Sequence, residues 1–116
     1  LLNSAQRVNY FLCIIYNMKQ EDLIEHFVNG DIEYIGKKAS NIYIDTDYDK
    51  DNMTLWSIGI KLAEMDLETE EITIWGWANY YSTIVVNHVS KLKDHLYKNR
   101  IDHKINNEHP HSGFHS

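Results

Sequence analysis

The chain has 116 residues, a length that supports one hydrophobic core but not a second. Its formal net charge is −6 at neutral pH, and residues 21–71 carry fourteen aspartates and glutamates against four lysines. Such an acidic centre disfavours broad binding to a nucleic-acid backbone and favours either a basic partner or simple solubility. We therefore expect a single domain over residues 1–105 and, where Pro, Gly and polar residues accumulate, a disordered tail over residues 106–116.

The longest apolar run, residues 10–16, is far shorter than the roughly 20 residues of a membrane-spanning helix. No secretory signal pattern is recognisable, so the sequence predicts a soluble protein of the cytoplasm with no membrane partner. The single cysteine, Cys13, lies inside the apolar run, which is typical of a buried residue and not of a nucleophile.

Helical patterns occupy the first 30 residues. Asn3 or Ser4 is a candidate cap for a helix through residues 8–16, although the same segment is equally typical of a buried strand. Residues 19–29 predict a short amphipathic helix with acidic residues in its first turn and Gly30 as its C-terminal cap. Its apolar stripe consists of Leu23, Ile24, Phe27 and Val28.

From Asp31 the hydrophobic period changes to two, which predicts strands. The predicted strands are residues 32–35, 41–45, 54–64 and 72–77. The acidic segment 66–70 turns the chain between the last two, so the four strands form an antiparallel meander. Side chains expected to face the core are Ile42, Ile44, Trp56, Ile58, Ile60, Leu62, Ile72 and Ile74.

A second amphipathic helix is predicted over residues 82–98, with Ser82 as its N-cap. The residues that share its apolar face are Val85, Val89, Leu92 and Leu96. The predicted fold class is therefore α+β: a four-stranded antiparallel meander packed with two or three helices, including this C-terminal amphipathic helix.

Two tryptophans, Trp75 and Trp77, lie on the strand face that Ile72 and Ile74 do not use, and Tyr43 is expected on the same outer face. Two interpretations stay open. The outer aromatics form a contact surface for a protein or for stacked bases, as aromatic residues often do. Alternatively, the N-terminal segment covers them, or a bulge at Gly76 turns Trp77 inward, and they belong to the core.

An alternating row of aspartates, D-x-D-x-D-x-D, spans residues 45–51 and has the ligand spacing of a calcium loop. Lys50 replaces the glycine of an EF-hand that begins at Asp45, and Trp56 replaces its bidentate glutamate. No metal is therefore predicted. The loop is a solvated acidic surface, a weak surface site for a cation, or an imitation of nucleic-acid phosphates for a basic partner.

No catalytic residue, cofactor or metal site is assigned. His88 and His95 lie seven residues apart on the predicted helix, about 10 Å at ~1.5 Å per residue, too far for one ion to bridge. The five glycines are scattered and form no phosphate loop. A triad of Ser82, His88 and Asp94 is chemically complete, but no pattern places it in a cleft.

Residues 57–92, SIGIKLAEMDLETEEITIWGWANYYSTIVVNHVSKL, combine two paired strands with a helix start in which Tyr81, Ser82 and His88 keep a distinctive spacing. This segment resembles the C-terminal half of small uncharacterised proteins of tailed bacteriophages, whose helix begins Tyr-Ser-x-Thr-Thr-Ser-x-His. Residues 84–86 depart from the Thr-Thr-Ser core. The resemblance implies a phage accessory protein of the size that binds and blocks a host or defence factor, with no catalytic residues to carry over.

We therefore expect a small acidic binding protein of a phage or mobile element, not an enzyme, that inhibits a host or defence protein in the host cytoplasm. The protein is expected to be of the anti-CRISPR or anti-restriction type, with a nucleic-acid-processing enzyme as a candidate target, and a homodimer stays open. The expected partner-binding residues are Tyr43, Asp45, Asp47, Asp49, Asp51, Trp75 and Trp77. Two alternatives remain: a metal-binding domain or enzyme that uses His88 with the loop 45–51, and a nucleic-acid-binding module that combines the outer aromatics with lysines of the last helix.

Overall fold

The computed structural model describes residues 19–47, 49–76 and 81–107, which form an α+β fold of two α-helices and a six-stranded sheet. The elements in chain order are α1 (Gln20–Val28), a 3₁₀ turn (Ile32–Tyr34), β1 (Lys38–Ala39), β2 (Ile42–Thr46), β3 (Asn52–Ser57), β4 (Ile60–Asp66), β5 (Ile72–Trp75), α2 (Thr83–Lys98) and β6 (His103–Asn106). The predicted N-terminal helix, Cys13, Trp77 and residues 108–116 lie outside the described residues.

The strands lie side by side in sequence order. Neighbours from β1 to β5 are antiparallel, whereas β5 and β6 are parallel because α2 carries the chain back between them. The predicted four-stranded meander is therefore wrong, and the sheet is a mixed one with six strands.

Helix α1 confirms the predicted amphipathic helix, and its whole apolar stripe is buried. Gly30 ends it at a φ of 71°, where its N–H donates to the Phe27 carbonyl and the Asp31 N–H donates to the His26 carbonyl. This pair of bonds is the Schellman arrangement, which favours glycine because the left-handed conformation crowds a Cβ atom.

Helix α2 confirms the predicted C-terminal helix. The Ser82 hydroxyl accepts a hydrogen bond of 3.4 Å from the Val85 N–H, as an N-cap does, and the four residues of the predicted apolar face are all buried. Both helices pack on one side of the sheet, α1 against β1, β2 and β3 and α2 against α1 and β3. We call this side the inner face and the opposite side the outer face.

The predicted strand 54–64 is two strands, because the chain reverses at Ile58 and Gly59. Their φ angles of 49° and 77° define a two-residue hairpin turn of the type that matches the natural twist of paired strands. Reversal at this point places Leu55 and Ser57 on the inner face, opposite Ile44 and Ile42. The prediction that Trp56 and Ile58 face the core is therefore wrong: Trp56 lies on the outer face, and Ile58 is half exposed in the turn.

Three other differences complete the sheet. Residues 32–34 form a 3₁₀ turn instead of a strand, and the predicted turn at residues 36–40 contains the short strand β1. Strand β6 lies where the hydrophobic period fails, and it gains its backbone partners from β5, some thirty residues earlier in the chain. A β-bulge between β3 and β4 leaves Leu62 as an extra residue whose side chain is fully buried.

The hydrophobic core lies between the helices and the inner face, and it is built from Leu23, Ile24, Phe27, Ile42, Ile44, Met53, Leu55, Ile72, Ile74, Val85, Val89, Leu92 and Leu96. At its margin Lys91 of α2 reaches α1, where its Nζ lies 3.2 Å from the Glu21 carboxylate and donates to the Gln20 side chain. Within the described part of the chain, neither helix is long and apolar enough to cross a membrane.

Candidate functional site

The outer face carries a row of large side chains that the strand register brings together. Tyr43 on β2 lies opposite Trp56 on β3, and Trp56 lies opposite Lys61 on β4. Trp75 joins them from β5, because the Lys61 Nζ lies 4.8 Å from the Trp75 ring centre and 6.0 Å from that of Trp56. We call these four residues the aromatic cluster.

Trp56 is held on two sides. Its ring is nearly parallel to that of Tyr43, with 3° between the planes and 6.1 Å between the centres. Its indole N–H donates a hydrogen bond of 2.8 Å to the Thr54 hydroxyl, and Thr54 is only 4 % exposed. Since a parallel ring contact and a hydrogen bond both restrict the indole, this side chain presents a preorganised aromatic wall.

Lys61 lies between the two tryptophans and is the cation of the cluster. Both ring centres are within the roughly 6 Å over which an ammonium group is attracted to an aromatic face. Its Nζ is also 3.7 Å from the Glu64 carboxylate, a loose ion pair between side chains that are each more than a quarter exposed. A half-buried pair at this distance contributes little stability of its own, so the two ring contacts are the main interactions that hold Lys61.

A second outer row lies beside the cluster and is polar, with the residues Asp45, Thr54, Glu64, Thr73 and Lys104 opposite one another on β2 to β6. A shallow concave region, which we call the acidic depression, includes part of this row and extends beyond it. It is lined by Asn52, Glu64, Asp66, Glu71 and Thr73. The Asn52 amide donates to Glu64, and Lys104 pairs with Glu71. Three carboxylates, those of Glu64, Asp66 and Glu71, thus share one concave surface, and Lys61 and Lys104 pair with two of them.

The acidic loop at residues 45–51, which we call the aspartate loop, lies at the same end of the sheet as the acidic depression. The Leu67 N–H donates to the Asp51 carbonyl, which ties the loop between β2 and β3 to the turn after β4. The Asp47 carboxylate accepts the Asp51 N–H at 3.0 Å, so it supports the loop's own backbone. In residues 19–47, 49–76 and 81–107, no group of three His, Cys, Asp or Glu side chains is arranged to hold a metal ion.

Among the residues predicted to bind a partner, Tyr43, Asp45 and Trp75 lie together on the outer face. Asp47, Asp49 and Asp51 lie in the adjoining loop. The sequence prediction missed Trp56, Lys61 and Glu64, because it ran one strand straight through the Ile58–Gly59 turn. The available signal was Gly59 flanked by alternating residues, since a glycine at the second turn position is typical of two-residue hairpins.

The described residues also contain a buried serine–histidine pair on the inner face. The Ser57 hydroxyl and the His88 Nδ1 share a hydrogen bond of 2.5 Å, with exposures of 0 % and 3 %. Burial, with the nearby positive charge of Lys91, lowers the pKa of His88. Because Ser57 is fully buried and His88 nearly so, the hydrogen bond satisfies two buried polar atoms, and the Ser57 hydroxyl is not exposed to a substrate.

The other predicted constellations are not brought together. The Ser82 hydroxyl caps α2 and His88 bonds Ser57, so the triad with Asp94 is not formed. Ser57 and Asp51 lie at opposite ends of β3, about 20 Å apart at ~3.4 Å per residue, which separates His88 from the aspartate loop. The lysines of α2 lie on the helix side of the sheet, away from the outer aromatics.

Comparisons of this chain with protein-family models, with curated proteins and with solved structures return no match. The outer face is consequently interpreted from its own geometry and chemistry.

Proposed function

We propose that this protein is a small acidic binding domain of a phage or mobile element that docks its outer sheet face on a basic surface of a host or defence protein and inhibits it. The observation that supports this proposal is the aromatic cluster beside the acidic depression, on the sheet face opposite both described helices. Buried aromatic anchors supply most of the affinity of many interfaces, and complementary charge steers the encounter.

A protein partner fits this face better than a nucleic acid does. The acidic depression lies beside the aromatic cluster and the aspartate loop lies at the same end of the sheet as that depression, and their carboxylates would repel a phosphate backbone. Proteins that stack bases on aromatic side chains surround them with a positively charged groove. Here Lys61 and Lys104 of the outer face are each paired with a glutamate, and the lysines of α2 lie on the opposite side of the sheet, where Lys91 is engaged with Glu21.

The inhibitory role and the phage origin come from the sequence resemblance and from the acidic end of the sheet. Carboxylates from the loop at residues 45–51 and from the acidic depression lie at one end of the molecule, where they present a series of negative charges to a partner. A nucleic-acid-processing enzyme of a CRISPR or restriction system has a basic groove for phosphates, which such a surface would occupy.

The test is capture of a stoichiometric partner from bacterial host lysate, with and without nuclease treatment, followed by an assay of that partner's activity at increasing ratios of this protein. Trp75→Ser is expected to weaken capture at least about tenfold, as loss of an interface anchor does. The matched control is Tyr97→Ser on α2, because Tyr97 is 87 % exposed on the helix side. Recovery that disappears with nuclease, or a partner whose activity is unaffected, would contradict the proposal.

A further inference from the structure

We infer that the aromatic cluster is a receptor for an arginine side chain of the partner, and that Lys61 occupies this receptor in the free protein. The inference rests on the proposed function and specifies the chemistry that the outer face recognises.

The geometry of Lys61 defines the receptor. The Lys61 ammonium group lies within cation–π distance of both Trp56 and Trp75, so a cation at this position contacts two aromatic rings at once. The Glu64 carboxylate is 3.7 Å from that point, and Asn52 orients it through a hydrogen bond of 2.9 Å. A cation placed there therefore meets two ring faces and one anion.

An arginine suits this combination better than the resident lysine. Its planar guanidinium stacks on an aromatic face and donates two parallel hydrogen bonds to a carboxylate, which a spherical ammonium group cannot do. Lys61 forms neither a close ion pair nor a hydrogen bond with Glu64 at 3.7 Å, so the site is incompletely used by its own cation.

Lys61 is also able to leave. Its side chain is 29 % exposed, and it stands on the outer face at the end of a flexible stem, so it can swing into solvent without disturbing the core. Trp56 would stay in place, because Tyr43 and Thr54 hold its ring. The acidic depression beside the cluster would draw a positively charged segment toward it.

The experiment titrates the full chain with a short Gly-Arg repeat peptide and, as a matched control, the same peptide with citrulline in place of arginine. Citrulline keeps the shape and hydrogen-bonding edge but not the charge. The readout is the NMR signal of each indole N–H together with tryptophan fluorescence. The arginine peptide is expected to shift the Trp56 and Trp75 signals in a saturable manner, and the citrulline peptide is not.

Lys61→Met tests whether Lys61 occupies the arginine site in the free protein, since methionine keeps an apolar stem and removes the competing cation. Affinity for the arginine peptide is expected to rise about twofold to fivefold, the equivalent of one exposed cation–π contact. Binding that leaves the indole signals unmoved, or that is equal for both peptides, or that Lys61→Met does not tighten, would overturn the inference. If the protein captures a host protein through Trp75 but does not bind the arginine peptide, this inference alone is contradicted. If it binds the peptide but captures no partner, the proposed function is contradicted.

Discussion

The hydrogen bond between Ser57 and His88 joins the last residue of β3 to the middle of α2 inside the core. It satisfies a fully buried hydroxyl and a nearly buried ring nitrogen, and it ties the crossover helix to the antiparallel part of the sheet. The response to substitution at this point follows from that contact, and a pH dependence of folding follows from the burial of His88.

Folding stability is expected to fall as the pH is lowered through about 6.5. Burial lowers the pKa of His88 in the folded state, whereas the unfolded chain keeps the ordinary value of 6.5. Below that pH the unfolded state binds more protons than the folded state, so the free energy of unfolding decreases as the pH falls toward the lower pKa of folded His88. The contribution of neutral His88 to stability is complete above pH 6.5. Thermal melts between pH 7.5 and 5.5 measure the slope. It is expected to flatten in His88→Gln and to persist in His95→Gln, a histidine on the same helix that is not buried.

Ser57→Ala is expected to destabilise the fold by about 1–3 kcal/mol, because it leaves the His88 ring nitrogen buried without its partner. Replacing both residues, as Ser57→Ala with His88→Leu, is expected to cost less than the sum of the two single changes, since no polar atom then remains unpaired. A double-mutant cycle from urea denaturation gives the coupling energy. Additive single costs would show that the bond contributes nothing.

Gly30→Ala is expected to lower the free energy of unfolding by about 1–2 kcal/mol, because Gly30 has a left-handed backbone conformation. A close contact with Met65 is expected to lower it further. A Cβ atom at this position meets the Met65 sulfur at 3.2 Å. Gly36→Ala separates the two causes, because its φ is 89° but nothing lies within 4 Å of a Cβ there. Denaturation midpoints should therefore rank wild type above Gly36→Ala, and Gly36→Ala above Gly30→Ala. Equal midpoints for the two variants would show that Met65 yields freely.

Ile58→Asn is expected to stabilise the protein by about 0.5–1 kcal/mol. Ile58 has a φ of 49°, which a β-branched residue adopts only with strain, and its side chain is 50 % exposed, so little apolar burial is lost. Asn-Gly is the preferred pair for this hairpin turn. A lower melting temperature than wild type would contradict the assigned turn and with it the placement of Trp56 on the outer face.

Val89→Asp is expected to cost at least about 3 kcal/mol, because it introduces an unpaired carboxylate into the interface between α2 and the sheet, where Val89 is almost fully buried. Ser90→Asp is the matched control, one residue further along the helix on its exposed side. Circular dichroism melts compare the two. A control variant as unstable as Val89→Asp would mean that the loss is helical propensity and not burial.

Local sequence patterns are sufficient to predict both described helices and most of the inner face. A helix is specified by local signals, and here the period of 3.6 residues, the Ser82 cap and the Gly30 terminus all lie within the elements they define. Tyr43 and Trp75 were likewise placed on the outer face by alternation within single strands. These conclusions required no knowledge of which segments meet.

The number of strands and the composition of the aromatic cluster depend on how distant segments pair, which local patterns do not show. Apolar residues alternate across the Ile58–Gly59 turn as regularly as within a strand, so the pattern alone does not mark the reversal that turns Trp56 outward. Strand β6 is short and partly exposed, and it exists because a parallel partner lies beside it after the α2 crossover. Lys61 and Trp75 lie on adjacent strands, β4 and β5, and their contact depends on the register between these strands. The periodicity within a single strand does not encode that register.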